Sequence, residues 1–274
     1  MFLANGKLPK LGKRPVLIDR RKDRRVLHLR DYLPAPEAEA LPPAPSEVSW
    51  ITKLTAAEEI PMYLNDVIGC CVEAAAGHML QAWNFYAGHP WKPTDNDILK
   101  AYEDVSGYIP GDPSTDVGTN MLDFLWYWQR VGVGGHRIIA FMSVDWNDDN
   151  AVRYAIQTFG NVMPGYALPL NVQGASDWTV GDGGIYTPDG APGSWGGHAA
   201  PGAARSPITT TCETWGIGEF KMSNNFWLNY VDECWVVLCN DWLDTNQLSP
   251  DKINLGSLQN DLKAKGFHDP LPVL

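Results

Sequence analysis

The hydrophobic pattern changes period near residue 132, and that change constrains the fold more than any other feature of the 274-residue chain. Upstream, Val72, Ala75, Ala76, Met79, Leu80 and Trp83 recur at the spacing of one buried helix face. The segment PTDNDILKAYEDVSGY predicts a short capped helix ending near Gly107. A Gly/Pro/Asp loop, IPGDPSTDVG, leads into another helix over 119–131, with Met121, Leu122, Leu125 and Trp128 on one face. Downstream, HRIIAFMSVD alternates like a strand, NDDNAVRYAIQTFG is a capped helix stopped by Gly160, and NVMPGYALPL resumes extended structure. Residues 171–207, rich in Gly, Pro, Ser and Asp, predict loops or irregular strands. The run ECWVVLC reads as a buried strand, and SLQNDLKAKG as a short helix stopped by Gly266. Helices followed by strands indicate an α+β architecture.

The first 48 residues differ from this body. Residues 1–30 hold ten Lys/Arg against two Asp, and the remainder holds eleven against thirty acidic residues. Five prolines in LPAPEAEALPPAPSEV then give an extended tether. The organisation expected is a basic arm and Pro-rich tether (1–48), a helical subdomain (49–131), a β-rich subdomain (132–244) and a C-terminal extension (245–274). The charge contrast predicts that the arm clamps onto an acidic protein surface, either the chain's own body or a neighbouring subunit. Nucleic acid is a lesser expectation, because no aromatic or Gly-rich recognition pattern accompanies the charge. MFLANGKLPKLGKRP lacks the apolar core of a secretory signal, and no stretch reaches membrane-spanning length, so a cytoplasmic or virion location and no membrane partner are expected.

Five cysteines, at 70, 71, 212, 234 and 239, lack framework spacing and predict reduced thiols. With no CxxC or HExxH element and scattered histidines, neither a metal site nor a cofactor is expected. Cys70 and Cys71 sit where the first amphipathic helix begins. Unpaired N–H groups and partial positive charge at a helix N-terminus stabilise a thiolate, which suits a nucleophile. A cysteine nucleophile needs a base from a distant segment, and His198 in WGGHAA is the best candidate. Glu213 in CETWG could orient its imidazole while Trp215 shields the pair from water. His78, His89 and the remaining cysteines read as structural residues.

These segments, in this order, resemble papain-like cysteine peptidases over roughly residues 60–240. Asn65 and Cys71 resemble the oxyanion glutamine and the nucleophile, GGHA the catalytic-histidine segment, and ETWG the Asn-Ser-Trp-Gly element. TDVG, ending at Gly118, resembles the Gly-rich wall of the substrate cleft. More narrowly, YLNDVIGCCVEAAAGHMLQAW, YIPGDPSTDVG and FWLNYVDECWVVL are similar to papain-fold proteins of bacteriophages and bacteria with an NDxxGxC motif, in which an acidic residue commonly stands where this chain has Cys70. The resemblance implies a helical subdomain carrying the nucleophile, packed on a barrel-like β-rich subdomain. It also implies acyl transfer on a peptide or amide: Cys71 attacks, His198 moves the proton, Glu213 occupies the third catalytic position, and Asn65 with the Cys71 N–H holds the oxyanion. The chain departs from the pattern in having Glu213 for Asn and Asn65 for Gln, and in placing Pro201 and Pro207 after the histidine. The alternative expectation is a catalytically idle papain-fold virion or decoration protein, anchored by its arm.

Overall fold

A computed structural model of the protein describes residues 27–29, 43–244 and 248–250. The expected helix SLQNDLKAKG and most of the arm lie outside these residues. The helical half holds α1 (Thr52–Ala57), α2 (Cys71–Tyr86), α3 (Asp95–Ser106) and α4 (Met121–Arg130). Their ends follow capping chemistry. Thr94 and Asp97 form a reciprocal capping box on α3, Gly107 closes that helix in the left-handed conformation, and the Asn120 side chain caps α4. Helix α2 is buried from Cys71 to Asn84, so its apolar face is embedded on every side by the rest of the molecule. Gly77 permits that embedding: a Cβ there would stand 2.7 Å from Tyr63 Cε2.

The second half contains α5 (Asp149–Phe159), α6 (Asn224–Tyr230) and most of the strands. The arm and tether supply β1 (Leu27–His28) and β2 (Val48–Ser49). The body supplies β3 (Ile138–Ser143), β4 (Met163–Leu168), β5 (Gly196–Ala199), β6 (Gly202–Arg205), β7 (Thr209–Thr214), β8 (Ile217–Ser223) and β9 (Val231–Cys239). They form a five-stranded sheet, β1-β3-β9-β4-β5, and a four-stranded sheet, β2-β6-β7-β8. The body strands pair antiparallel, and β1 joins β3 in parallel. Among the described residues the expected barrel-like half is therefore two sheets, bridged where Val162 and Gly202 exchange backbone hydrogen bonds.

The Gly/Pro-rich segment 171–207 is more ordered than its composition predicts. Its end forms β5 and β6, and Pro201 sits at the corner between them, where no ladder N–H is needed. Its irregular part is pinned at Trp178, which is fully buried and exchanges backbone hydrogen bonds with the β8 edge at Lys221 and Ser223. The described arm and tether residues lie on the chain's own β-rich half. Leu27 and His28 pair with Met142 and Ser143, Leu29 is buried, and Ala44 N donates to Asn150 Oδ1 at 2.8 Å.

Two contacts hold the layers together. Trp83 of α2 donates from Nε1 to Phe159 O at 2.8 Å, crossing from the helical half to the end of α5. Arg205 is buried at 3% exposure, with Nε 2.8 Å from Asp149 Oδ1, Nη1 2.7 Å from Thr210 Oγ1, and its guanidinium over the Trp227 ring. Asp149→Ala leaves that cation buried without its carboxylate, and because the carboxylate itself is half exposed we expect a loss of about 1–2 kcal/mol in urea unfolding. A loss below about 0.5 kcal/mol would mean that the cation is solvated after all.

Candidate active site

The chain reaches Cys71 through a strained turn. Tyr63 and Leu64 both adopt the left-handed conformation, with φ of 52° and 60°, which is costly for side chains of their bulk. Leu64 O accepts from Val67 N and Ile68 N, and Asn65 N donates to Met62 O at 3.2 Å. The turn is tied down from the TDVG loop: Asp116 Oδ1 accepts from Gly69 N at 2.9 Å and from the Tyr102 hydroxyl at 2.7 Å. Gly118 N in turn donates to that hydroxyl at 2.9 Å. The first intrahelical bond runs from Ala74 N to Cys70 O, so Cys71 opens the helix, as its position in the sequence predicts.

The two adjacent thiols have different surroundings. Cys70 Sγ donates to Tyr63 O at 3.2 Å. Burial, and then the Glu73 carboxyl and Cys71, push its thiol well above the usual range, so Cys70 is held protonated. Glu73, in the first turn of α2, is also fully buried. Burial pushes its carboxyl up to about 7, against the opposing pull of the Thr119 hydroxyl and its own backbone N–H.

His198 lies on β5, paired with Tyr166 of β4, and has no solvent exposure. Its Nε2 is 2.9 Å from Thr214 Oγ1. The imidazole stacks on Trp215 with centroids 4.5 Å apart and planes 17° apart, and Trp178 meets it edge-on at 6.2 Å. Trp215 reaches this place from a two-residue hairpin turn. Thr214 pairs with Ile217, and both turn residues have positive φ, 50° at Trp215 and 73° at Gly216. That is the geometry of a type I′ turn, with Trp where Asn or Asp is preferred. The strain at Trp215 is offset by its stacking on His198 and by burial at 3% exposure.

Helix α2 packs against both β5 and β7, so the helix led by Cys71 meets the strands that carry His198 and Glu213. Cys71 and His198 both have zero exposure, and Asn65 has 2%. The Asn65 amide oxygen has no hydrogen-bond partner among the described residues. Glu213 makes no hydrogen bond to the ring, and neither of its carboxyl oxygens has a hydrogen-bond partner among the described residues. Burial pushes its own carboxyl well above the usual range. Behind it, His78 Nε2 is 2.9 Å from Pro61 O, and burial lowers that imidazole to about 4 against the pull of two backbone carbonyls, as fits a structural histidine.

Comparison with solved structures bears on this arrangement. The chain superposes on xylellain, a cysteine protease from Xylella fastidiosa, with a TM-score of 0.60 at 14% identity, over 84% of this chain and 97% of that one. The fold is papain-like. Digestive procathepsin L 3 of Tenebrio molitor larval midgut gives a TM-score of 0.50 at 12% identity, over 78% of this chain and 76% of that one. The Carica candamarcensis cysteine protease CMS1MS2, solved in complex with E-64, gives 0.50 at 13% identity, over 71% of this chain and 99% of that one. No protein-family model and no curated protein matches the sequence. At such identities the papain-like fold is shared, and the roles of individual side chains have to be argued from this chain alone.

Three residues around Cys71 and His198 were not singled out by the sequence: Thr214 at His198, Asp116 under the turn before Cys71, and Tyr63 within that turn. No signal for the first was legible, because β7 shifts register against β8 between Cys212 and Thr214 and strict alternation does not decide between residues 213 and 214 there. Among the described residues no group of three or more His, Cys, Asp or Glu is placed to hold a metal ion, and no helix is long and apolar enough to cross a membrane.

Proposed function

We propose that the protein is a papain-like cysteine peptidase or amidohydrolase working through Cys71 and His198. The observation that carries the reading is the junction of α2, led by Cys71, with β5, where His198 is held edge and face by Thr214, Trp178 and Trp215. Cys71 sulfur forms a bond to the carbonyl carbon as its proton passes to His198. Asn65 and the Cys71 N–H stabilise the resulting oxyanion. His198 returns the proton to the leaving amine as the C–N bond breaks. Water, deprotonated by His198, then cleaves the thioester and restores the thiol. The substrate class is a peptide or amide entering between the two halves. Since Cys71 and His198 have no exposure, the side chains over them must move aside to admit it.

That same burial favours a second reading: a papain-fold assembly or virion protein, of phage type, whose site is idle. Alkylation of the native protein with iodoacetamide near neutral pH, with the labelled thiols located by mass spectrometry, separates the two. A working site labels Cys71 at least about tenfold faster than the other four thiols, because the helix N-terminus and an adjacent imidazolium favour its thiolate, while burial holds Cys70, Cys212, Cys234 and Cys239 as thiols. Uniform or absent labelling of Cys71 would favour the idle site.

A further inference from the structure

We infer that Thr214, and not Glu213, is the residue that positions His198, so that the third member of this site is a neutral hydroxyl. The inference rests on the cysteine-hydrolase reading above. Thr214 Oγ1 lies 2.9 Å from His198 Nε2, and both residues are buried, at 1% and 0% exposure. The tautomer that serves the reaction is the one in which Nε2–H donates to the hydroxyl oxygen, because it leaves Nδ1 as the basic nitrogen that exchanges the proton with Cys71. The ring cannot turn about its long axis without meeting Trp215 across its face or Trp178 at its edge. The hydrogen bond to Thr214 therefore sets the angle of the ring.

Glu213 does not share this task. It follows Cys212 and precedes Thr214 on β7, and neither of its carboxyl oxygens has a hydrogen-bond partner among the described residues, whereas the Thr214 hydroxyl meets the ring. Its backbone N donates to Pro201 O at 3.2 Å, which fixes the strand at the corner after β5. The Trp-Gly turn immediately afterward locks the orientation of residue 214, because the turn pairs Thr214 with Ile217 and swings Trp215 onto the imidazole. Sequence position alone favours the carboxylate. The geometry points instead to the hydroxyl one residue later.

The consequence is a difference in kind. A carboxylate would hold the imidazole and stabilise its positive charge. A threonine hydroxyl holds it and adds no charge, so its contribution is orientation. Thr214→Val keeps the volume and the β-branching and removes only the hydroxyl, and with it the hydrogen bond that sets the angle of the imidazole. Alkylation of Cys71 by iodoacetamide, followed from pH 5 to 9 on the full chain, is the test. Thr214→Val should slow Cys71 labelling at pH 6.5 by about tenfold or more and move the rate profile toward that of an ordinary thiol. Thr214→Ser should restore the rate to within about twofold, and Glu213→Gln should match wild type within about twofold. Thermal melting of each variant identifies any change due to unfolding, and the serine rescue separates positioning from packing. Wild-type labelling in which Cys71 does not stand out would sink the hydrolase reading and this inference with it. A fast Cys71 that is indifferent to Thr214→Val, or slowed tenfold by Glu213→Gln in a folded protein, would overturn the inference alone.

Discussion

Cys71→Ser is expected to lower hydrolysis of dye-labelled casein by at least about a thousandfold, and Cys70→Ser to leave it within a few-fold of wild type. The asymmetry comes from two environments one residue apart. Cys71 opens α2, and the first turn of a helix favours negative charge. A serine hydroxyl at the same place has a far higher proton affinity than a thiol, and a histidine positioned by a neutral group is a weak base for it. Cys70 instead donates to the carbonyl of Tyr63 in the strained turn, and a serine there retains that hydrogen bond. Casein hydrolysis and helix content by circular dichroism, measured on both variants, check the prediction. Loss of activity in Cys70→Ser with the fold intact would transfer the nucleophile to the N-cap. Retention of activity in Cys71→Ser would place the reaction elsewhere in the molecule.

The parts of this site that the sequence made legible are those governed by local rules. Helix α2 is long, its apolar period is regular, and the position of Cys71 at its start follows from that period alone. The caps of α3 and α5 were equally plain, because Thr94, Gly107, Asp148 and Gly160 act within one turn of their own residue. Other elements were hidden. Helices α1 and α6 have six and seven residues, too few to show a period, and the β7–β8 hairpin carries polar Thr and Lys on its strands. The segment before His198 read only as loops or irregular strands because its order comes from Trp178, pinned to β8 more than forty residues away in sequence. The same limit applies inside the site. His198 and Cys71 could be paired by the resemblance to papain-like peptidases, but which of Glu213 and Thr214 reaches the imidazole depends on the twist of β7 and the handedness of the Trp215-Gly216 turn. Neither is written in composition. Asp116 was hidden for a related reason: a loop carboxylate that accepts from Gly69 N and the Tyr102 hydroxyl looks like any other loop carboxylate until the two loops meet.

Glu73→Gln is expected to stabilise the protein at pH 8 by about 3 kcal/mol more than it does near pH 4, because Glu73 is the buried acid whose ionisation the fold opposes. Its carboxyl is pushed up to about 7 in the folded state, against an ordinary value of 4.5. The sign follows from proton counting. Between those values the folded chain holds the proton more tightly than the unfolded chain, so the stability linked to Glu73 is complete below pH 4.5 and declines until pH 7, at about 1.4 kcal/mol per pH unit. Above pH 7 both states are ionised and the loss is constant. Glutamine keeps the shape and does not titrate. The difference between variant and wild type should therefore grow across that window and then level off, while the other titrating groups cancel in the subtraction. A partly exposed helix-start glutamate would behave in the opposite way, since the macrodipole favours its charge. Here full burial outweighs the dipole, because the charge would sit among Cys70, Thr119 and the core of the helical half, and no cation among the described residues contributes to its shift. Urea unfolding of both proteins at half-unit steps from pH 4 to 8.5 measures the curve. Parallel stability curves through pH 5–7 would mean that Glu73 ionises as an exposed carboxylate does, and that the first turn of α2 admits water.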